Sequence, residues 1–309
     1  MIKEACVTWK PDVCIYHFPC DDGFCSAWIA RRKWPDAVLA GTNYGLPFPD
    51  VDITGKNVLI ADFSYKPDVL REMGAKAKSI VVLDHHKTAA ADLADFRVDA
   101  DFANSMTEHP FDAEKAEKAL NLLGTIGRNI VALFDMDHSG AMLTWDFCFP
   151  GQPPSSLVKF IEDRDLWRFA LPKTRAVSLY LRSFPYDFDV WSEVSYRLDN
   201  TLSVMDEAAS IERFYDQKLA EMVPTATLKS IGKWKDVPVA HAPYAFASDL
   251  AHELLKKFPN APFAAVAVDA YGSRTYSLRS EDSREDVSEV AKTFGGGGHR
   301  NAAGFRVPA

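Results

Sequence analysis

Leu83-Asp84-His85-His86 sets one carboxylate and two imidazoles side by side. Oxygen and nitrogen donors together suit Mn²⁺ or a similar divalent ion. The triplet follows Ser79-Ile80-Val81-Val82-Leu83, whose unbroken, mostly β-branched apolar run predicts a strand buried on both faces. Charges at the end of such a strand need partners, because unpaired buried charge is costly. His85 stands out as a ligand; Asp84 and His86 could be ligands, orient a ligand, or contact phosphate. Two further apolar runs end in the same way, Cys14-Ile15-Tyr16 on His17 and Val58-Leu59-Ile60-Ala61 on Asp62. Asp21-Asp22-Gly23 follows His17 on a turn before a helix, where the two carboxylates could share a crevice with His17 or cap the helix. Glu162-Asp163-Arg164-Asp165, between an apolar run and Trp167, makes a second charged cluster with Asp163 and Asp165 as candidate ligands.

The C-terminal region carries a different signal. Gly295-Gly296-Gly297-Gly298 exposes backbone N–H groups and permits close approach of an anion. His299 and Arg300 follow at once, and Arg279 lies on the strand before, so the three add donors for a phosphate. A flexible linker would also be glycine-rich, but this run sits between a helix and the compact Asn301-Ala302-Ala303-Gly304-Phe305.

These residues need elements to position them. Strands are predicted at Cys14–His17, Val38–Ala40, Asn57–Asp62 and Ser79–Leu83, with helices over about Phe24–Lys33 and from Pro67 to about Gly74. This alternation is the grammar of a doubly wound parallel sheet in an α/β protein, and such sheets bind ligands at the carboxyl ends of their strands. Residues 87–130 are less legible, with helices expected at Ala89–Ala94 and Asp112–Leu123. Ser139 is placed to cap a helix over Ala141–Phe147. A long helix from Glu207 to Met222 leads to a second α/β unit. That unit has strands at Val237–Ala240, Phe263–Val268 and Arg274–Arg279, and helices at Ser248–Lys257 and Asp286–Phe294. The expected organisation is residues 1–200 as one domain, 201–224 as a connecting helix, and 225–309 as a smaller second domain.

The chain has 309 residues, 47% hydrophobic and 25% charged, ordinary for a globular protein. No apolar run reaches the ~18 residues of a membrane helix, so no membrane is expected as a partner. The start has no basic segment followed by an apolar one, which argues against a secretory signal. Five scattered cysteines fit no zinc-finger spacing and point to a reduced, cytoplasmic setting. A formal net charge of −8 counts against gripping long nucleic acid through its backbone.

The set His17/Asp21-Asp22-Gly23, Asp62, Asp84-His85-His86 and a downstream Asp resembles the N-terminal motifs of the DHH phosphoesterase superfamily. Gly296-Gly297-Gly298-His299 resembles the glycine-rich motif of its C-terminal DHHA1 domain. The resemblance covers residues 1–170 and 225–309. It implies a parallel-sheet catalytic domain and a smaller α/β DHHA1 domain, with a dinuclear metal site in the cleft between them. The ions implied are two Mn²⁺, with Mg²⁺ or Co²⁺ as alternatives. His17, Asp21 or Asp22, Asp62, His85 and Asp163 or Asp165 would be ligands, with Asp62 bridging. Asp62, Asp84, His85 and His86 would form the catalytic group. Arg279, Gly296, Gly297, Gly298, His299 and Arg300 would hold substrate phosphate. The chain departs from the pattern at Cys20, which falls where a carboxylate is usual when Asp22-Gly23 is aligned; that carboxylate is missing or Asp21 replaces it. Asp163 fits the fourth motif best, with Asp165 as the alternative.

The resemblance implies hydrolysis of short oligonucleotides or linear dinucleotides to mononucleotides, with a small nucleotide substrate as partner and a homodimer as one assembly to test. Phosphoanhydride hydrolysis, as in exopolyphosphatases, is the second reading. A non-catalytic nucleotide or RNA binder is the third, and Mn²⁺-dependent turnover separates it from the other two.

Overall fold

The computed structural model describes residues 9–97, 129–201, 203–270 and 272–308. The helix expected over Asp112–Leu123 lies outside them. The chain divides into two compact units, Met1–Ala209 and Ser210–Ala309.

The first unit is built on strands β1 (Val13–His17), β2 (Val38–Thr42), β3 (Asn57–Ala61), β4 (Ser79–Asp84) and β5 (Ile130–Phe134). They form one sheet in the order β2-β1-β3-β4-β5, parallel throughout. All six residues of β4 and all five of β5 are buried, as a strand covered on both faces requires. Helices α1 (Asp21–Lys33), α2 (Pro67–Lys76) and the short α3 (Lys87–Asp92) connect the early strands. Pro67 occupies the first turn of α2, where its missing N–H costs nothing. Ile15, Ile60, Ile80, Val82, Leu70 and Met73 anchor a core on one face of the sheet.

The strand order reverses between β1 and β3. In open α/β sheets the crevice outside the carboxyl ends at such a reversal is the usual ligand site. His17 closes β1 and Asp62 follows β3, so the two flank that crevice.

Among the described residues, four helices follow β5 before the connecting one: α4 (Gly140–Cys148), α5 (Ser156–Asp165), α6 (Thr174–Leu181) and α7 (Phe188–Asn200). The Ser139 hydroxyl accepts from Met142 N at 3.2 Å and caps α4 as the sequence predicts. Phe24 of α1 stacks on Phe188 of α7 with ring centroids 4.5 Å apart. Helix α1 begins three residues earlier than expected, and Cys20 holds its N-cap position. Asp21 and Asp22 are therefore inside the first turn rather than capping it. The connecting helix α8 (Ser203–Met222) contains the boundary between the units. Among the described residues no helix is long and apolar enough to cross a membrane.

The second unit is a six-stranded sheet of β6 (Thr227–Ile231), β7 (Trp234–His241), β8 (Ala264–Ala270), β9 (Ser273–Arg279), β10 (Gly297–His299) and β11 (Ala302–Pro308). Its order is β10-β11-β9-β8-β7-β6, with only β7 and β8 parallel. Helix α9 (Ala247–Lys257) makes the crossover between that parallel pair, and α10 (Val287–Lys292) packs near β11. Phe263, Leu278, Val290 and Phe305 belong to its core.

The glycine run differs from a simple exposed loop. Gly297–His299 is an edge strand paired antiparallel with Ala302–Gly304. A Cβ on Gly296 would stand 2.1 Å from Gly304 O, and Gly298 has φ 139°. Glycine is needed there for the backbones to approach.

Candidate metal centre

The site forms where β1, β3 and β4 end and the N-terminus of α4 arrives. Asp62 sits just past β3 with φ 54°, a left-handed conformation that few residues adopt and Asp tolerates. Its N–H still donates to Leu83 O at 2.9 Å, which ties the turn to β4. The side chain is 1% exposed, yet neither carboxylate oxygen accepts a hydrogen bond. Oδ2 faces His17 Nδ1 at 3.4 Å and Oδ1 faces His85 Nε2 at 3.2 Å. Each oxygen thus faces a different imidazole.

His85 is equally buried. Its Nε2 also lies 3.6 Å from Asp22 Oδ2 and 3.6 Å from Asp165 Oδ2. Burial alone would lower the imidazole pKa, but the surrounding carboxylates Asp62, Asp165 and Asp22 outweigh it and push it up to about 10. For Asp62, burial would raise the carboxyl pKa; the two imidazoles prevail and hold it well below the ordinary carboxylate range. Buried Asp22 goes the other way, raised by burial and by Asp62 and Asp165. Three carboxylates thus converge on one imidazole.

Donor atoms of Asp22, His85 and Asp165 lie within 4.8 Å of one another, as do those of His17, Cys20 and Asp62. The residues fit a divalent cation on two grounds: the oxygen and nitrogen donor set, and the buried Asp62 oxygens, whose desolvation no hydrogen bond offsets.

Asp22 owes its position to a distant helix. Gly140 N and Ala141 N, at the start of α4, donate to its two oxygens at 2.6 and 2.9 Å. The helix N-terminus favours the negative charge. A Cβ on Gly140 would meet Asp62 Cβ at 2.5 Å, so only glycine lets α4 come this close. Asp21 points elsewhere, to Arg182 and Tyr186.

Asp84 is hydrogen-bonded through both oxygens. Its Oδ1 accepts from His85 N and His86 N and lies 2.6 Å from His86 Nδ1, while Oδ2 accepts from Ser64 Oγ. It fixes the His86 ring and the backbone of the turn at His85, and its oxygens also group with donors of Asp62, His85 and His86.

The two aspartates of the 162–165 cluster separate clearly. Asp163 is buried, and its oxygens accept from Ala170 N, Leu171 N and the Thr174 hydroxyl. It ties down a loop in which Trp167 and Phe169 have positive φ. Asp165 is the one that reaches His85. Asp163→Ala is expected to cost about 1–3 kcal/mol of stability, the penalty for leaving buried donors unsatisfied. Asp165→Ala, whose side chain is 31% exposed, should weaken metal binding and change stability by no more than about 0.5 kcal/mol. Denaturant unfolding and metal titration of the two variants check this; the reverse pattern would return the ligand role to Asp163.

The remaining predicted residues belong to the second unit. Arg279 donates to Leu278 O, Ser277 Oγ and Ser248 Oγ. Arg300 donates to the carbonyls of Asp282 and Arg284 and lies 3.6 Å from Asp286 Oδ2. Arg300 therefore braces the 282–286 turn as well as carrying charge. Gly296 directly precedes β10, and Gly297, Gly298 and His299 lie on it.

Sequence reasoning did not single out Gly140, Ser64 or Tyr44. Tyr44 is 45% exposed, with its ring 5.6 Å from that of His17 and 6.2 Å from that of His86. Only Gly140, just after a helix-capping Ser, carried a local signal.

No family model matches the chain. An uncharacterized protein of Acanthamoeba polyphaga mimivirus is 29% identical over 95% of this chain and 67% of its own length. Oligoribonuclease NrnB of Bacillus subtilis is 35% identical over 109 residues, which is 35% of this chain and a quarter of that protein. Among solved structures, a pGpG-specific phosphodiesterase, PggH of Vibrio cholerae, aligns over 96% of this chain and 93% of its own with a TM-score of 0.45 and 10% identity. An exopolyphosphatase-related protein of Bacteroides fragilis aligns over 95% and 85% with a TM-score of 0.39 and 12% identity.

Proposed function

We infer that the chain belongs to the DHH phosphoesterase family, and on that premise we propose that it is a metal-dependent hydrolase of short oligonucleotides or linear dinucleotides. The observation that carries this reading is Asp62, buried without a hydrogen-bond donor between two imidazoles. When bound, divalent ions, Mn²⁺ among them, would supply Lewis acidity and make a water more acidic.

The chain's own residues do the rest. His17, Asp22, Asp62, His85 and Asp165 would hold the ions. The helix α4 N-terminus holds Asp22 in place through two N–H groups and opposes the rise in its carboxyl pKa. Asp84 fixes the ring of His86, whose second nitrogen can donate to a phosphoryl oxygen. In the second unit Arg279, His299 and Arg300 are assigned to the substrate phosphate, with the glycine run Gly296–Gly298 giving close backbone access.

A nucleotide substrate is favoured over polyphosphate for two reasons. The local likeness to NrnB falls on an oligoribonuclease. Tyr44, 45% exposed, also places an aromatic ring beside His17, and bases stack on aromatic rings with about 1–3 kcal/mol each.

A substrate panel tests the reading: a linear diribonucleotide, a nucleoside bisphosphate, a cyclic dinucleotide and polyphosphate, each with Mn²⁺. The expected result is mononucleotide release, fastest from the diribonucleotide. Cleavage of polyphosphate alone would replace the substrate assignment with phosphoanhydride hydrolysis. Tight nucleotide binding without any turnover would make the chain a binder.

A further inference from the structure

We propose that Cys20 is a metal ligand, and that its thiolate joins His17 and Asp62 in a mixed sulfur, nitrogen and oxygen position that prefers Zn²⁺ or Co²⁺ to Mn²⁺. This rests on the reading of the cluster as a divalent-metal site.

Three observations support it. Cys20 Sγ and the donor atoms of His17 and Asp62 lie within 4.8 Å of one another. Cys20 holds the N-cap position of α1 but makes no capping hydrogen bond, so its side chain has no role in starting the helix. Asp62, 1% exposed, has both oxygens without a hydrogen bond and shares this group of donors. The approach depends on Gly23, where a Cβ would stand 2.2 Å from His17 O. Glycine lets the first turn of α1 close over the end of β1, which brings Cys20 to His17. The other described cysteines, Cys14, Cys25 and Cys148, are 0% exposed and belong to the core.

The chemistry follows from ligand softness. A carboxylate at position 20 would make an all oxygen and nitrogen site, suited to Mn²⁺ or Mg²⁺. A thiolate keeps the negative charge but shifts preference toward borderline-soft ions. Cys20 thus replaces the expected carboxylate rather than leaving a ligand missing. Binding converts the Sγ–H group to thiolate and releases its proton to solvent.

The test is Co²⁺ titration of the metal-stripped full chain. The wild type should develop a thiolate-to-cobalt charge-transfer band in the near ultraviolet, and Cys20→Ser should lose it. In competition followed by metal analysis, the wild type should retain Zn²⁺ or Co²⁺ over Mn²⁺. Cys20→Asp, checked for folding by circular dichroism, should shift that preference toward Mn²⁺. Cobalt binding without the band, or a band that persists in Cys20→Ser, overturns the Cys20 assignment and leaves the phosphoesterase reading standing. Absence of divalent-ion binding in the wild type overturns both.

Discussion

Asp62→Asn is expected to lower turnover by more than about 100-fold, beyond the ~10–100-fold that loss of a residue supporting a ligand costs. The substitution keeps shape and volume, and Asn tolerates the left-handed backbone that residue 62 adopts. What it removes is the charge facing His17 and His85. The metal-free variant should fold but lose some stability, because the charge that His17 and His85 hold on Asp62 is removed, and this outweighs the relieved repulsion with Asp22 and Asp165. The two states can be told apart by thermal unfolding. A ligand at 100 times its Kd stabilises a protein by about 2.7 kcal/mol, so saturating metal should raise the wild-type Tm and raise the variant's far less. A variant with wild-type turnover and an undiminished Tm shift would remove Asp62 from the centre.

Gly140→Ala is the second large effect, and its sign is opposite to the ordinary helix rule. Inside a helix Ala is better than Gly by about 1 kcal/mol. Here the added methyl would stand 2.5 Å from Asp62 Cβ and 2.9 Å from Asp22 Oδ2. Both are buried and neither can swing away without giving up its place in the site. Overpacking of this kind costs about 1–3 kcal/mol. The larger consequence falls on metal affinity, because α4 must withdraw and take with it the two N–H groups that hold Asp22. Ser139→Ala is the control. It removes only the cap on Met142 N, costs about 1 kcal/mol, and should leave metal affinity unchanged. Calorimetric metal titration of both variants decides the matter; equal losses would show that Gly140 acts through helix stability alone.

The parallel sheet was legible because its signals are local. Runs such as Ile80-Val81-Val82-Leu83 declare a doubly buried strand within four residues, and the ionisable group that ends each run marks the carboxyl edge. Strand β5 carried the same kind of run, Ile130-Val131-Ala132-Leu133-Phe134, but stood beside a stretch with no clear pattern and was not predicted. Strands β10 and β11 were missed for a different reason. Gly297-Gly298-His299 has no strand propensity of its own and pairs only because β11 is there to receive it. Helices α6 and α7 follow the loop that Asp163 holds through side-chain hydrogen bonds to Ala170 N and Leu171 N, which apolar periodicity does not encode.

His17, Asp62 and His85 were readable as site residues from their types and positions at strand ends, since a polar group closing an apolar run has few structural uses. Choices among neighbouring carboxylates were not readable. Asp21 and Asp22 are adjacent, and so nearly are Asp163 and Asp165; composition treats each pair as equal. Helix phase separates them, sending Asp22 and Asp165 to His85 while Asp21 meets Arg182 and Asp163 meets the 170–174 loop. The sequence by itself therefore determined the sheet, the direction in which its strands point, and three of the residues at its mouth, because apolar periodicity and strand ends are written within a few positions. Only the tertiary structure decided which carboxylates converge and why Gly140 must be glycine. The contact that holds Asp22 spans 118 residues of chain, and no local pattern encodes a distance of that kind.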